Sequence, residues 1–299
     1  MWANLIHDAF ESIISSSYIS DITETLQVLV NGLNNFFSGN DLTTTLSLFR
    51  AVGASLMIIF FFIAISDCIQ KDILSFDKFV VFMIRLYVGF MVIYFLPDII
   101  SGFFKITNGL YNAINSSALS RDSLPVPDAE NFKEVLNWKG GFIKAFFSNA
   151  GSCLMYLAIL AVGKFGQFTI IMFALSNALT LMARVIFSPI GVAQCFDEGS
   201  RSAGIRYLKL LLADMLAFAM VVGILVASVK LTNILLIGVY ENLGLGTVSK
   251  VSLIPISQTH VLEKLVKNPM FVGSAFAVKL ATIGGVSKAS QLAKEVVGV

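Results

Sequence analysis

Long apolar runs separated by short polar stretches dominate the chain from about residue 50 onward. A helix needs about 20 mostly apolar residues to cross the roughly 30 Å hydrocarbon core of a bilayer. Lipid offers the backbone no hydrogen-bond partners, so such runs are expected to be helical. The alternation of apolar and polar positions that is typical of a barrel strand is absent. The pattern therefore predicts an all-α integral membrane protein, a polytopic bundle of transmembrane helices.

Five apolar runs predict five membrane-spanning helices. The expected spans are Arg50–Ile65, Phe79–Phe104, Phe142–Val162, Gln167–Pro189 and Leu208–Ser228. The second contains a break at Pro97-Asp98 near its far end. The third and fourth come from one block that is too long for a single span. We divide this block at Gly163-Lys164-Phe165-Gly166, because two glycines there flank a charge.

The C-terminal part of the apolar pattern leaves alternatives open. Leu231–Val239 either continues the fifth span or folds back into the membrane interface. The run Phe271–Val286 is short and contains Lys279, so a sixth span, a re-entrant segment and a surface helix all fit it. Near the first span, the small residues Ala51, Gly53 and Ala54 predict a close contact with another helix.

The first 48 residues are amphipathic rather than continuously apolar. Leu5, Ala9 and Ile13 share one helical face, and a second such face begins at Ile22. These residues form either a helical pair packed on the bundle or an interfacial helix that contacts lipid or a partner. Five acidic residues and no Lys or Arg precede Arg50. Since basic residues favour the cytoplasmic side, the N-terminus is expected outside.

The composition shifts divide the chain into five segments. These are amphipathic N-terminal helices (1–48), a first transmembrane hairpin (49–104), a polar central loop (105–141), an apolar transmembrane core (142–240) and a C-terminal segment (241–299). The last segment is either interfacial or carries one short extra span. A helix over Ala129–Trp138 is expected within the central loop.

The composition excludes a soluble globular enzyme. The chain is 56% hydrophobic and 13% charged, whereas a soluble domain carries about 25% charged residues. Its two histidines and three cysteines are far apart, and no common catalytic or nucleotide-binding motif is present. We therefore expect no enzymatic activity, no cofactor and no bound metal.

Charged residues inside the apolar runs are the most informative positions, because each costs a few kcal/mol at the centre of a bilayer. They are Arg85, Lys164, Arg184, Asp214 and Lys279. Antiparallel packing of the fourth and fifth spans would bring Arg184 to the depth of Asp214, which predicts an ion pair. The alternative is that Arg184 extends to the lipid head groups, as we expect for Arg85. Lys164 is expected in a turn at the membrane surface.

The stretch from Arg184 to Val222 reads RVIFSPIGVAQCFDEGSRSAGIRYLKLLLADMLAFAMVV. This sequence resembles the TrbL-type (VirB-class) polytopic inner-membrane subunits of type IV secretion and conjugative transfer systems. The resemblance is carried by Ser188, Pro189, Gly191, Gly204, Arg206, Tyr207 and Lys209. The length, the number of spans and the polar central loop agree with the layout of that family.

The resemblance implies a non-enzymatic channel or scaffold subunit of a translocation platform in the cytoplasmic membrane of a bacterium. Its implied partners are membrane lipid, further copies of itself, the scaffold subunit, the traffic ATPases and a cargo of protein or single-stranded DNA with its relaxase. In the central loop, the residues implied for cargo or partner contact are Tyr111, Arg121, Lys133, Trp138 and Lys139.

The competing interpretation is a small-molecule or lipid transporter of the cytoplasmic membrane. That interpretation predicts inverted repeats and broken helices around a site near the bilayer midplane.

Overall fold

The computed structural model describes residues 2–14, 17–73, 75–119, 127–135, 142–194 and 203–299. Within these ranges the protein is helical and contains no strand, which confirms the all-α class. The α-helices are α1 (Trp2–Ile14), α2 (Ser17–Ser38), α3 (Asn40–Gln70), α4 (Phe76–Tyr94), α5 (Leu96–Leu119), α6 (Ala129–Val135), α7 (Phe142–Ile186), α8 (Ser188–Ala193), α9 (Ala203–Asn242), α10 (Thr259–Val266), α11 (Pro269–Ser287) and α12 (Ala289–Val297).

Four of the described helices are long and apolar enough to cross a membrane, and a bent pair would make a fifth span. The four are α3, α7 over Leu154–Ile186, α9 and α11, and the bent pair is α4 with α5. This count is consistent with a multi-pass membrane protein. The structure makes α9 one helix through Asn242, so Leu231–Val239 continues the span that begins near Leu208.

The predicted break at Gly163-Lys164-Phe165-Gly166 is wrong, because α7 runs without interruption from Phe142 to Ile186. The expected spans Phe142–Val162 and Gln167–Pro189 are therefore parts of one helix. Gly163 and Gly166 are buried, whereas Lys164 is exposed. A helix tolerates a glycine in its interior at a cost of about 1 kcal/mol. A lysine on the exposed side of a helix can keep its ammonium group in a polar environment. Neither feature requires a turn.

The predicted span Phe79–Phe104 bends next to the break that the sequence predicts at Pro97-Asp98. The helices α4 and α5 meet at Phe95 with a bend of 60°. Pro97 has no N–H group, so it cannot donate to the carbonyl of Ile93 four residues earlier. The guanidinium of Arg50 donates to the carbonyl of Tyr94 across 3.1 Å, at the end of α4. Helix α5 then continues to Leu119, so the first part of the predicted central loop is helical.

The helices form two compact units that are not continuous in sequence. The first comprises Met1–Leu26, Ala113–Phe173 and Val221–Lys288. In its core the ring of Phe10 contacts those of Phe132, Tyr156 and Phe271. The hydroxyl of Tyr156 donates to the carbonyl of Val266 at 3.1 Å. These contacts hold the amphipathic helix α1 on α6, α7 and α11.

The second unit comprises Gln27–Asn112, Ala174–Met220 and Ala289–Val299. Helices α3, α4 and α8 pack together in it, and the rings of Phe37 and Phe104 join α2 to α5 at 4.8 Å. Helix α12 places Ala293 against Ala213 and Ala217 of α9. The residues that carry the family resemblance belong to this unit.

Candidate functional site

The structure brings Arg184 and Asp214 together within the second unit. Arg184 is in the last turn of α7, and Asp214 is in the fourth turn of α9. Arg184 Nη1 lies 2.5 Å from Asp214 Oδ2, and the side chains are 29% and 2% exposed, respectively. A carboxylate buried this deeply in an apolar helix is costly unless an opposite charge meets it. The guanidinium of Arg184 supplies that charge.

Two further hydrogen bonds join α7 and α9 around this ion pair. The buried amide of Asn177 donates to the backbone carbonyl of Asp214 at 3.0 Å. The hydroxyl of Tyr207 donates to the backbone carbonyl of Arg184 at 2.6 Å. Each bond fixes the backbone that carries one member of the pair, so the arrangement holds the end of α7 against the beginning of α9.

The Ser-Pro-Ile-Gly sequence forms helix α8 immediately after α7. Proline is favoured in the first turn of a helix, because its φ angle is already helical and its missing N–H group needs no partner there. Ser188 and Pro189 are both buried, and the Ser188 hydroxyl donates back to the carbonyl of Val185 at 2.6 Å. The motif therefore forms a short, buried helix that directly follows the long helix α7.

Two glycines allow α8 to approach its neighbours closely. A Cβ atom added to Gly191 would lie 2.7 Å from the ring of Tyr207. A Cβ atom added to Gly53 of α3 would lie 2.5 Å from the carbonyl oxygen of Pro189. Both distances are too short for any side chain, so glycine is required for this packing. We call this meeting point of α3, α7, α8 and α9 the motif junction. The close contact predicted at Gly53 is formed here.

The remaining motif residues lie at the beginning of α9. Gly204 is buried, whereas Arg206 and Lys209 are exposed. The motif therefore combines residues that pack inside the protein with two basic residues at its surface.

The other intramembrane charges lie apart from the motif junction. Arg85 is partly exposed on α4, with its guanidinium 6.0 Å from the centre of the Phe82 ring. Lys164 is exposed on α7. Lys279 is only 9% exposed on α11, and its ammonium group donates to the Ser12 hydroxyl of α1 at 2.9 Å. No sequence signal links residues 12 and 279, so this contact was not predicted.

The residues implied for cargo contact are only partly described. Tyr111 is 1% exposed on α5, so it is a core residue and not a surface residue of a polar loop. Lys133 lies on α6, and its side chain is not described. Arg121, Trp138 and Lys139 lie outside the described residues.

The first unit contains a cavity of about 430 Å³ beside α1. Its lining includes Asp8, Glu11, Asp21 and Lys164. At its edge, ligand atoms of His7, Asp8 and Glu11 lie within 4.8 Å of one another, close enough to hold a metal ion. In the sequence, the signal for this group is the spacing of the three residues along one amphipathic helix. Exposed acidic groups of this kind are common without an ion, so the group alone does not define a site.

No protein-family model, no curated protein and no solved structure matches this chain. The resemblance to TrbL-type subunits therefore rests on the sequence pattern from Arg184 to Val222 and on the layout of the chain.

Proposed function

We propose that the protein is a channel or scaffold subunit of a type IV secretion (conjugation) platform in the cytoplasmic membrane of a bacterium. It would help to pass protein, or DNA with attached protein, across that membrane. The observation that carries the proposal is the motif junction. The residues behind the resemblance are not scattered, because Ser188, Pro189, Gly191 and Tyr207 pack together beside the Arg184–Asp214 ion pair.

The distribution of buried residues supports a protein whose apolar surface is covered by lipid or by other proteins. In the most apolar window of α9, 56% of the residues are buried, whereas the corresponding share for α3 is 17%. Exposed apolar residues on α3 and α4 include Ile59, Phe62, Ile84 and Val88. Such a surface requires an apolar environment, either lipid or the spans of neighbouring subunits.

The proposed partners are further copies of the chain, the scaffold subunit and the traffic ATPases. The surfaces proposed for contact with them are the amphipathic N-terminal helices, the central segment between α5 and α7, and the C-terminal segment. The central segment is the proposed contact for cargo. Because Tyr111 is buried, that contact is assigned to the residues after Leu119.

The experiment that tests this proposal is the mass of the gently solubilised native particle, with identification of the proteins that copurify. We expect several copies of the chain together with a scaffold subunit and an ATPase. The variant Gly191→Ala should disturb the motif junction and release partners. Gly102→Ala is the matched control, because a Cβ atom at Gly102 meets nothing within 4 Å. A wild-type monomer or dimer without partners would contradict the proposal.

A transporter of small molecules or lipids is the second candidate, and the bent pair α4–α5 is the observation that favours it. Discontinuous helices of this kind form the substrate sites of many secondary transporters. Substrate-dependent uptake by the purified protein in liposomes, at the rate of a carrier, would support this alternative. Isolation of the protein as a stable multimeric ring together with an ATPase would oppose it.

A further inference from the structure

The second unit has two ends that differ in charge. We define the α8 end by α8 and the residues that contact it, and the hairpin end by the end of α3, the turn at Lys71 and Asp72, and the beginning of α4. The rings of Phe49 and Phe187 meet at 5.2 Å, and Gly53 packs on Pro189, so the apolar part of α3 begins at the α8 end. From Arg50 to Gln70, α3 rises about 30 Å at 1.5 Å per residue, which is about the thickness of the hydrocarbon core. The two ends therefore lie at opposite faces of the membrane.

Basic residues are concentrated at the α8 end. Arg50 lies there with its guanidinium on the carbonyl of Tyr94, and Arg184 ends α7 beside α8. Arg206 and Lys209 lie in the first turns of α9, next to Tyr207, whose ring packs on Gly191. At the hairpin end, Lys71 and Lys78 are accompanied by three acidic residues, which are Asp67, Asp72 and Asp77. At the α8 end, the described acidic residues are Asp98, in the first turn of α5, and Asp214, the partner of Arg184.

The basic residues at the two ends also differ in how far they are already neutralised. Lys71 Nζ lies 2.7 Å from the carboxylate of Asp67, and this hydrogen bond raises the pKa of Lys71. At the α8 end Arg184 is neutralised by Asp214. Arg206 and Lys209 are exposed, and no ion pair within the described part of the chain holds either one. Their spacing of three places both on one face of α9.

We infer that the α8 end lies at the cytoplasmic face of the membrane and that Arg206 and Lys209 bind the phosphates of anionic phospholipid head groups in that leaflet. Lys and Arg near the ends of spans set the orientation of membrane proteins, with the more basic end inside. Anionic head groups in the cytoplasmic leaflet attract exposed basic residues. The inference does not depend on the proposed role in secretion.

This orientation places the beginning of α3 inside, the reverse of what the acidic N-terminal segment alone predicts. The first hairpin by itself offers only Arg50 against Lys71 and Lys78. The contacts of α8 with α3 and α9 bring Arg184, Arg206 and Lys209 to the same end as Arg50. The balance of basic residues then favours the α8 end.

Labelling of single cysteines tests the orientation. In a full-length chain with Cys68, Cys153 and Cys195 replaced by alanine, the exposed residues Ile73 and Ala203 are changed to cysteine one at a time. We expect a membrane-impermeant maleimide to label Ile73→Cys in sealed spheroplasts. Ala203→Cys should be labelled only after the spheroplasts are lysed. Labelling of Ala203→Cys in sealed spheroplasts, or of Ile73→Cys only after lysis, would overturn the inference.

Lipid titration of the purified full chain tests the head-group contact. Binding of phosphatidylglycerol and phosphatidylcholine is measured by native mass spectrometry. The double variant Arg206→Gln/Lys209→Gln should bind phosphatidylglycerol about thirtyfold more weakly, since each basic residue near an anionic surface contributes a roughly fivefold gain. The control Lys71→Gln should stay within about twofold of wild type, because Lys71 is already paired with Asp67. An equal loss in both variants, or a wild type without preference for phosphatidylglycerol, would overturn the head-group contact.

Discussion

Asp214 is 2% exposed in an apolar helix, so the protein has to compensate its charge. Replacing Arg184 by alanine removes the compensating guanidinium, and we expect the free energy of unfolding to fall by about 3 kcal/mol. Asp214→Ala should cost less, because the side chain of Arg184 is 29% exposed and can extend to the head groups. The double variant should lose less than the sum of the singles, by about 1–3 kcal/mol. Chemical denaturation of the detergent-solubilised protein measures all three.

The control for this comparison of single and double variants is Arg85→Ala. Arg85 is also a charge within an apolar helix, but it is partly exposed and makes no ion pair within the described residues. Its removal should change the free energy of unfolding by less than about 0.5 kcal/mol. Additive losses in the Arg184 and Asp214 variants would show that the two charges do not interact in the folded protein.

Lys279 and Ser12 provide a second prediction at this scale. The hydrogen bond between the Lys279 ammonium and the Ser12 hydroxyl joins α11 to α1. Ser12→Ala should lower the free energy of unfolding by about 1.5 kcal/mol, because a hydrogen bond to a charged group is lost in a largely buried place. The same change in a Lys279→Met background should cost much less, because no ammonium group remains that needs the Ser12 hydroxyl as an acceptor. Equal losses in the two backgrounds would contradict this role of Ser12.

Individual contacts were predictable from the sequence only where two residues lie at the same depth in neighbouring spans. Arg184 and Asp214 lie near the facing ends of two consecutive apolar runs, so antiparallel packing alone suggests that they meet. The hydrogen bonds of Asn177 and Tyr207 could not be predicted in this way. Their acceptors are backbone carbonyls, which every residue carries, so the sequence does not mark the partner. The partner of Lys279 lies in another part of the chain, and only the tertiary fold brings it near.

At the scale of helices, the close approach of α8 to α3 and α9 predicts a steric effect. Gly191→Ala and Gly53→Ala should each lower the free energy of unfolding by about 1–3 kcal/mol, because a methyl group does not fit beside Tyr207 or the Pro189 carbonyl. Gly102→Ala should be neutral or stabilise α5 by up to about 1 kcal/mol, since alanine favours helix and the site is open. Thermal unfolding in detergent compares the three variants. A loss in Gly102→Ala equal to the others would contradict the steric explanation.

The continuity of α7 makes a separate prediction about backbone protection. The amides of Gly163 to Gly166 belong to an unbroken helix, so hydrogen exchange there should be as slow as in the flanking turns. A loop at this position, as the sequence alone suggests, would exchange much faster than its neighbours. Peptide-resolved hydrogen exchange of the protein in lipid nanodiscs distinguishes the two.

Helices were predictable from the sequence more reliably than the breaks between them. An apolar run must be helical in lipid, so the spans from Arg50, Leu208 and Phe271 onward all coincide with helices. A break depends on which side of a helix faces the core. The Gly-Lys-Phe-Gly sequence stays helical because its glycines face inward and its lysine outward, whereas Pro97 accompanies a real bend because it removes a donor.

At the scale of the whole molecule, the sequence predicts the membrane class but not how distant segments are combined. The two compact units each draw on three separate stretches of the chain. Segment boundaries drawn from composition follow the order of the sequence, whereas packing joins stretches by complementary faces. Thus α1 and α6 share the core around Phe10 and Phe132, although most of the first unit's apolar residues come much later in the chain.

The proposed cargo contact leads to the last prediction. Phe132 and Val135 of α6 are buried against the core of the first unit, so deletion of the whole central segment would damage the fold. Replacing only residues 120–126 and 136–141 by Gly/Ser linkers of equal length keeps α6 in place. We expect this variant to insert and to form native particles of unchanged mass, while transfer of cargo between cells falls to background. Normal transfer by a correctly assembled variant would show that the cargo passes without contacting these residues.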